Sequence, residues 1–199
     1  MDGRWDKNDT KDSANVADLI SQGKCQFYEY PDPKLRELRS LLALKRKLKK
    51  QEHGYRVRIR NQLLAQYFPE LDRYSGWPEV EAIVRWCLNP VQIVGLEKDQ
   101  FIKLVAPGRK SPAQHQRLQA IRELAVESIG CRMREGAGVE GPVMVEGLRH
   151  IREGLKVTET KIEEICRVFP EYACLRTIPG FGPDVSSKVL GALGNPIGF

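Results

Sequence analysis

The cleanest hydrophobic periodicity in the chain runs through Met144, Leu148, Ile151, Leu155, Thr158, Ile162, Ile165 and Phe169, stepping alternately by four and three residues. That is an a/d seam sustained over more than three heptads, and it predicts a long helix. Gly147 and Gly154 weaken the helix but are expected off the seam, and Pro170 ends it. A second long helix is predicted from Lys34, with Leu35, Leu38, Leu41, Leu42, Leu44 and Leu48 inside. Leu41, Leu48 and Tyr55 fall seven apart, Ile59, Leu63 and Tyr67 continue the stripe, and Phe68-Pro69 closes it. The simplest partner for the 144–169 seam is this earlier helix, folded back antiparallel. The alternative is the same helix of a second chain, and the pattern leaves both open.

Between the two arms, residues 70–139 alternate short helical patterns with breakers. Glu79–Leu88, Leu96–Val105 and Ala113–Ile129 read as helices, and the run 136–141 reads as a flexible join. Ahead of the arms, Val16, Leu19 and Ile20 have helical spacing and Gly23 stops that helix. Cys25–Tyr30 reads as a short extended piece and Pro31-Asp32-Pro33 as a linker. After the arms comes Leu175-Arg176-Thr177-Ile178-Pro179-Gly180-Phe181-Gly182-Pro183, a short helix, a glycine hairpin and a second helix. Pro179 stops the first helix, Gly180 and Gly182 accept a tight turn, and Pro183 suits the first turn of the next helix. Val185, Val189, Leu190 and Leu193 are expected to point from that helix to a core. The expected class is mainly α. Boundaries fall at 1–32, 33–69 (first arm), 70–139 (insert), 140–170 (second arm) and 171–199 (a helix-hairpin-helix-like unit).

Charge changes this picture at one place. The chain has 199 residues and a net charge of +6, yet residues 34–60 alone hold eleven Lys or Arg against two Glu. A basic stripe of this kind suits a phosphate backbone; a plain solvated helix face has the same composition. Five scattered cysteines without a Cys-x-x-Cys pair, and three histidines apart from them, argue against a zinc site or a disulfide framework. No apolar run reaches the roughly 18 residues of a membrane span. The polar start, Met1 to Asp6, does not read as a signal peptide, so a cytoplasmic, nucleoid-associated location is expected.

Three groups of residues carry candidate chemistry. Asp9 and Asp12, one helical turn apart, share a face and could hold a hard cation such as Mg²⁺, or simply complement the helix start. Lys45, Arg46, Lys47, Lys49 and Lys50 form the densest part of the basic arm. The hairpin Gly180-Phe181-Gly182 leaves backbone N–H groups at a helix start, where a phosphate can sit, with Lys188 one turn on as a second contact; an ordinary helix–turn–helix packing corner with no ligand has the same spacing.

Side by side, these elements resemble the DEDD-type insertion-sequence transposases of the 110/116/902 family. One matching signature is Lys-x-Asp-x-x-Asp-Ser with its following helix, Lys7 to Ile20. The other is Leu-x-Thr-Ile-Pro-Gly-Phe-Gly-Pro leading to Leu-Gly-Asn-Pro, Leu175 to Pro196. The resemblance implies a RuvC-like α/β nuclease domain of which residues 1–32 are a remnant. Asp9 and Asp12 would match its third and fourth acidic, Mg²⁺-binding, catalytic positions. It further implies a serine nucleophile in a domain that the hairpin opens, oligomers built through the coiled coil, DNA as substrate and a structured guide RNA as partner. Ser186 and Ser187 do not match the nucleophile. The first two acidic positions and the serine have no counterpart here, so the expectation is a truncated transposase that binds nucleic acid without strand transfer by itself. A non-catalytic helix-hairpin-helix DNA-binding protein and a coiled-coil interaction module are the competing expectations.

Overall fold

A computed structural model describes residues 9–24, 31–86, 89–108, 111–132 and 134–193. The described residues form ten α-helices and no strand. The mainly α expectation holds; the extended piece Cys25–Tyr30 lies outside the described residues. Helix α1 spans Asp9–Ser21, and Gly23 closes it at φ +65°. Helix α2 spans Pro33–Arg58 and continues through a π-helical turn, Ile59–Leu64, into α3, Ala65–Tyr67. A 3₁₀ turn, Pro69–Tyr74, leads to α4 (Pro78–Arg85), α5 (Pro90–Gly95), α6 (Lys98–Val105) and α7 (Pro112–Val126). Helix α8 spans Glu135–Cys166, and α9 (Pro170–Arg176) and α10 (Pro183–Leu193) follow.

The frame of the molecule is the pair α2–α8 within one chain. Leu35 and Leu38 pack with Ile162, Ile165 and Cys166, Lys45 reaches Glu159, Arg152 reaches Glu52, and Tyr55 lies against Gly147. Ascending residue numbers on α2 meet descending numbers on α8, so the helices run antiparallel. Leu148, Ile151, Leu155, Thr158, Ile162 and Ile165 are all buried, and each buried aliphatic side chain contributes roughly 1.5–3 kcal/mol. Thr158 remains compatible with burial because its hydroxyl donates to the Gly154 carbonyl at 2.7 Å. Leu44, expected inside, is 43% exposed.

Two features of the arms depart from the pattern. Helix α8 begins at Glu135, so the glycine-rich run 136–141 is helical rather than a join. Ala137 is buried in the insert's core, and tertiary packing of this kind overrides the glycines' weak helix propensity. Gly147 is also not off the interface: a Cβ there would stand 2.7 Å from the Tyr55 ring. The missing side chain is what lets Tyr55 lie against α8.

The insert packs around the far end of the arms. The π-helical turn adds a residue to the helical register, which lets Leu63, Leu64, Tyr67 and Phe68 all turn inward. They meet Val80, Ile83, Phe101, Ile121 and Leu148 in one core. Glu79, 1% exposed, accepts two hydrogen bonds from Arg117 at 3.0 and 2.9 Å, fastening α4 to α7. Helix α5 was not expected from apolar spacing, being only six residues long; Asn89 and Gln92 form a reciprocal capping box at its start. The loop after α7 lies against α3 so closely that a Cβ on Gly130 would collide with the Tyr67 carbonyl oxygen.

Helices α9 and α10 cover the other end of the arms. The inward face of α10 is Ser186, Ser187, Leu190 and Gly191, whereas Val185 and Leu193 are 40% and 54% exposed. This corrects the expected apolar face. The reason is a close approach: a Cβ on Gly191 would stand 2.6 Å from Leu42 Cδ1, and Arg39 Nε donates to the Gly191 carbonyl at 2.7 Å. Ser186 and Ser187 satisfy their hydroxyls on the Phe181 and Asp184 carbonyls. Small residues face inward because the helices nearly touch.

Candidate nucleic-acid interface

The hairpin joins α9 to α10 as expected from its prolines and glycines. Phe181 N–H donates to the Ile178 carbonyl at 3.0 Å, closing a turn with Pro179 and Gly180 at its centre. Gly180 sits at φ +85°, where glycine carries no steric penalty. Gly182 N–H donates to the Gly180 carbonyl at 3.1 Å, and Arg176 Nη1 donates to the Phe181 carbonyl at 3.0 Å. Two of the amides expected to face a phosphate are therefore engaged inside the turn.

The start of α10 already has its anion. Asp184 Oδ1 accepts from Lys45 Nζ at 2.7 Å, and Oδ2 accepts from Lys188 Nζ at 2.7 Å. Hydrogen bonds from Lys188 and Lys45 hold the Asp184 carboxyl down at about 2, against the upward push of partial burial. Lys45 also pairs with Glu159 at 2.8 Å, and its side chain is only 9% exposed. Burial pulls the Lys45 pKa down, but the hydrogen bonds and charges of Asp184 and Glu159 more than reverse this, leaving it raised. Both lysines expected to meet a phosphate have a carboxylate partner in the structure, Lys45 in a buried position and Lys188 in an exposed one. Lys45 is an internal bridge between α2, α8 and α10, and Lys188 is tied to Asp184. Lys45 lies seven residues after buried Leu38 on α2, a spacing that places it on the packed face.

The rest of the basic arm stays outside. Arg46, Lys47, Lys49, Lys50, Arg56 and Arg58 are all exposed, and none of them forms an ion pair with another described residue. Among the other charges of this segment, Arg60 is engaged by Asp72, and Glu52, one of its two carboxylates, is held by Arg152. From Arg46 to Arg58 the helix rises about 18 Å. Arg46, Lys49, His53 and Arg56 continue, at steps of three and four, the flank on which α10 is packed through Leu42. The hairpin and the cationic row are therefore consecutive along one side of α2.

The acidic pair is placed differently. Asp9 begins α1 and Asp12 lies one turn on, exposed. Among the described residues no cluster of three His, Cys, Asp or Glu could hold a metal ion. Two carboxylates would leave most of the octahedral shell of Mg²⁺ to water or other ligands, and no catalytic step follows from them. No described helix is long and apolar enough to cross a membrane.

Together these features define a mainly α protein built on a long antiparallel helix pair with one strongly cationic side. The chain is similar to the insertion element IS110 uncharacterized 43.6 kDa protein of Streptomyces coelicolor, at 26% identity over 204 residues. The likeness covers 97% of this chain and 49% of that relative, so the chain spans about half the relative's length. It supports an insertion-element protein of this type. No protein-family model matches the chain.

Proposed function

We propose that this chain acts in an insertion-sequence transposase, where the α2–α8 arm grips the nucleic-acid backbone through the outward face of α2. The observation that carries this reading is the row of six exposed cations, Arg46, Lys47, Lys49, Lys50, Arg56 and Arg58, unpaired among the described residues. A row of fixed cations attracts the phosphate backbone without reading sequence. Duplex DNA is the primary ligand, and a structured RNA presents the same phosphate chemistry. The hairpin lies at the end of the row and supplies mainly shape, since Lys45 is buried between Asp184 and Glu159 and Asp184 offsets the charge of Lys188. The seam of α8 is filled by α2 of the same chain, so an assembly of several copies would use other faces. Likeness to an insertion-element protein supports the transposase setting.

The test is a salt titration of binding to a short duplex. Contact with six phosphates gives a slope of log K against log salt of about −5, and the double reversal Arg46→Glu, Lys50→Glu makes it shallower by roughly 2. The same titration on a structured RNA hairpin ranks the two ligands. Binding that ignores salt, or that survives the double reversal unchanged, would refute the interface.

A further inference from the structure

A second cationic surface lies on the opposite end of the molecule from the hairpin. Helices α4, α6 and α8 line an open groove of about 600 Å³, within the size range of small-ligand sites. Its floor is apolar and buried: Val105 and Val145 are 5% and 2% exposed. Its rim carries Arg85, Lys103 and Arg149. The carboxylate in its lining, Glu81, is held by Arg152 Nη1 at 2.7 and 2.8 Å, so the groove is left with a positive excess. Arg149 has an exposed partner, Glu146, at 3.4 Å, a contact too long and too solvated to quench its charge. The distinctive rim residue is Trp86, a large apolar ring left 50% exposed, with the Arg85 guanidinium 5.7 Å from its ring centroid.

We infer that this groove binds an unpaired nucleic-acid strand, with one base stacked on Trp86 and the flanking phosphates held by Lys103 and Arg149. An indole beside a guanidinium is a stacking platform that accepts any base, and the surrounding cations follow the backbone. A duplex keeps its bases stacked inside and offers no face to the ring. An acidic peptide shares the charge but makes no use of the platform. The site shares no residue with the α2 row. The inference rests on this chain being a nucleic-acid-binding protein but not on the duplex interface itself.

The experiment uses the full chain with dye-labelled dT12 and rU12, read by fluorescence anisotropy and by quenching of tryptophan emission. Stacking of one base on Trp86 predicts a loss of roughly 5- to 100-fold in affinity for Trp86→Leu. Trp86→Phe keeps most of the affinity while losing most of the quenching, and so controls for folding. Lys103→Gln lowers the salt slope by about 0.7. Quenching by either strand supports the inference, and the tighter one identifies DNA or RNA as the preferred chemistry. Equal affinity of Trp86→Leu and wild type, or competition by a blunt duplex or by polyglutamate as effective as by dT12, would overturn it. Arg46→Glu, Lys50→Glu separates the two sites: it should weaken duplex binding and flatten its salt slope while leaving the Trp86 quenching in place.

Discussion

Lys45 offers the sharpest test of how the hairpin unit is held. Its ammonium sits between Glu159 of α8 and Asp184 of α10 at 2.8 and 2.7 Å. Lys45→Met keeps most of the stem's packing and removes the charge. A fully buried pair broken in this way costs about 3–5 kcal/mol. Here the carboxylates are 47% and 43% exposed and can rehydrate, so about 1–2 kcal/mol is expected, read from urea unfolding followed by far-ultraviolet circular dichroism. The Asp184 share can be isolated. Its carboxyl falls from 3.8 to about 2, roughly 2.4 kcal/mol if nothing screened it. With Asp184 43% exposed, screening reduces this to about 1 kcal/mol. Because the folded value lies below the unfolded one, this stabilisation is present in full above pH ~4 and fades as pH falls towards 2. Lys188 supplies the largest part of that shift and Lys45 shares the rest, so the cycle Lys45→Met, Asp184→Asn should show a coupling of about 0.5 kcal/mol at pH 7 that shrinks below pH ~3. Zero coupling at pH 7, or a coupling that grows as pH falls, would show that the bridge does not hold α10 to the arms.

Two further outcomes follow from buried groups elsewhere. Glu79→Ala leaves Arg117, whose side chain is 30% exposed, without its carboxylate and opens a cavity in the α4–α7 contact; a loss of about 3 kcal/mol is expected in the same unfolding assay, with Glu79→Gln losing less. Burial, and then the nearby Glu163 charge, push the Cys166 thiol up to about 11, so alkylation of the native protein at pH 8 should modify exposed Cys131 and Cys174 and spare Cys166 until the chain unfolds.

What the pattern of residues disclosed, and what it hid, has a physical basis. The α8 seam was legible because a stripe that steps by four and three over many turns has one geometric reading, and its positions from Leu148 to Ile165 are buried. The choice of partner was not legible, since the same stripe accepts a helix from the same or another chain; the contacts from Leu35–Ile162 to Tyr55–Gly147 run within one chain. Short elements were hidden for another reason. Helix α5 has too few residues for a period, and only its Asn89–Gln92 capping box marked it. Glycines misled in both directions: at 136–141 they lie within a helix, and at Gly147 and Gly191 they mark close approach. Composition likewise treated Lys45 as one more surface cation, though its spacing from Leu38 gave the packed face.

That last difference reshapes the candidate interface. A helix start attracts an anion through its unpaired N–H groups, and at α10 the chain provides its own in Asp184, which engages both nearby lysines. A phosphate arriving there would compete with a carboxylate already fixed 2.7 Å from each ammonium, in an arrangement that costs it nothing in translational freedom. Beyond Lys45 on α2 there is no such competitor: Arg46, Lys49 and Arg56 face solvent. The electrostatic attraction of the surface therefore lies on the arm. The hairpin's contribution is to fix where that row begins, because Lys45 ties the turn to α2 at the residue before Arg46. Asp184→Asn should on this argument raise duplex affinity at low salt, since it removes a negative charge and frees the exposed Lys188 while Lys45 stays buried against Glu159; unchanged affinity would show that Asp184 does not weaken the attraction of the hairpin end for phosphate.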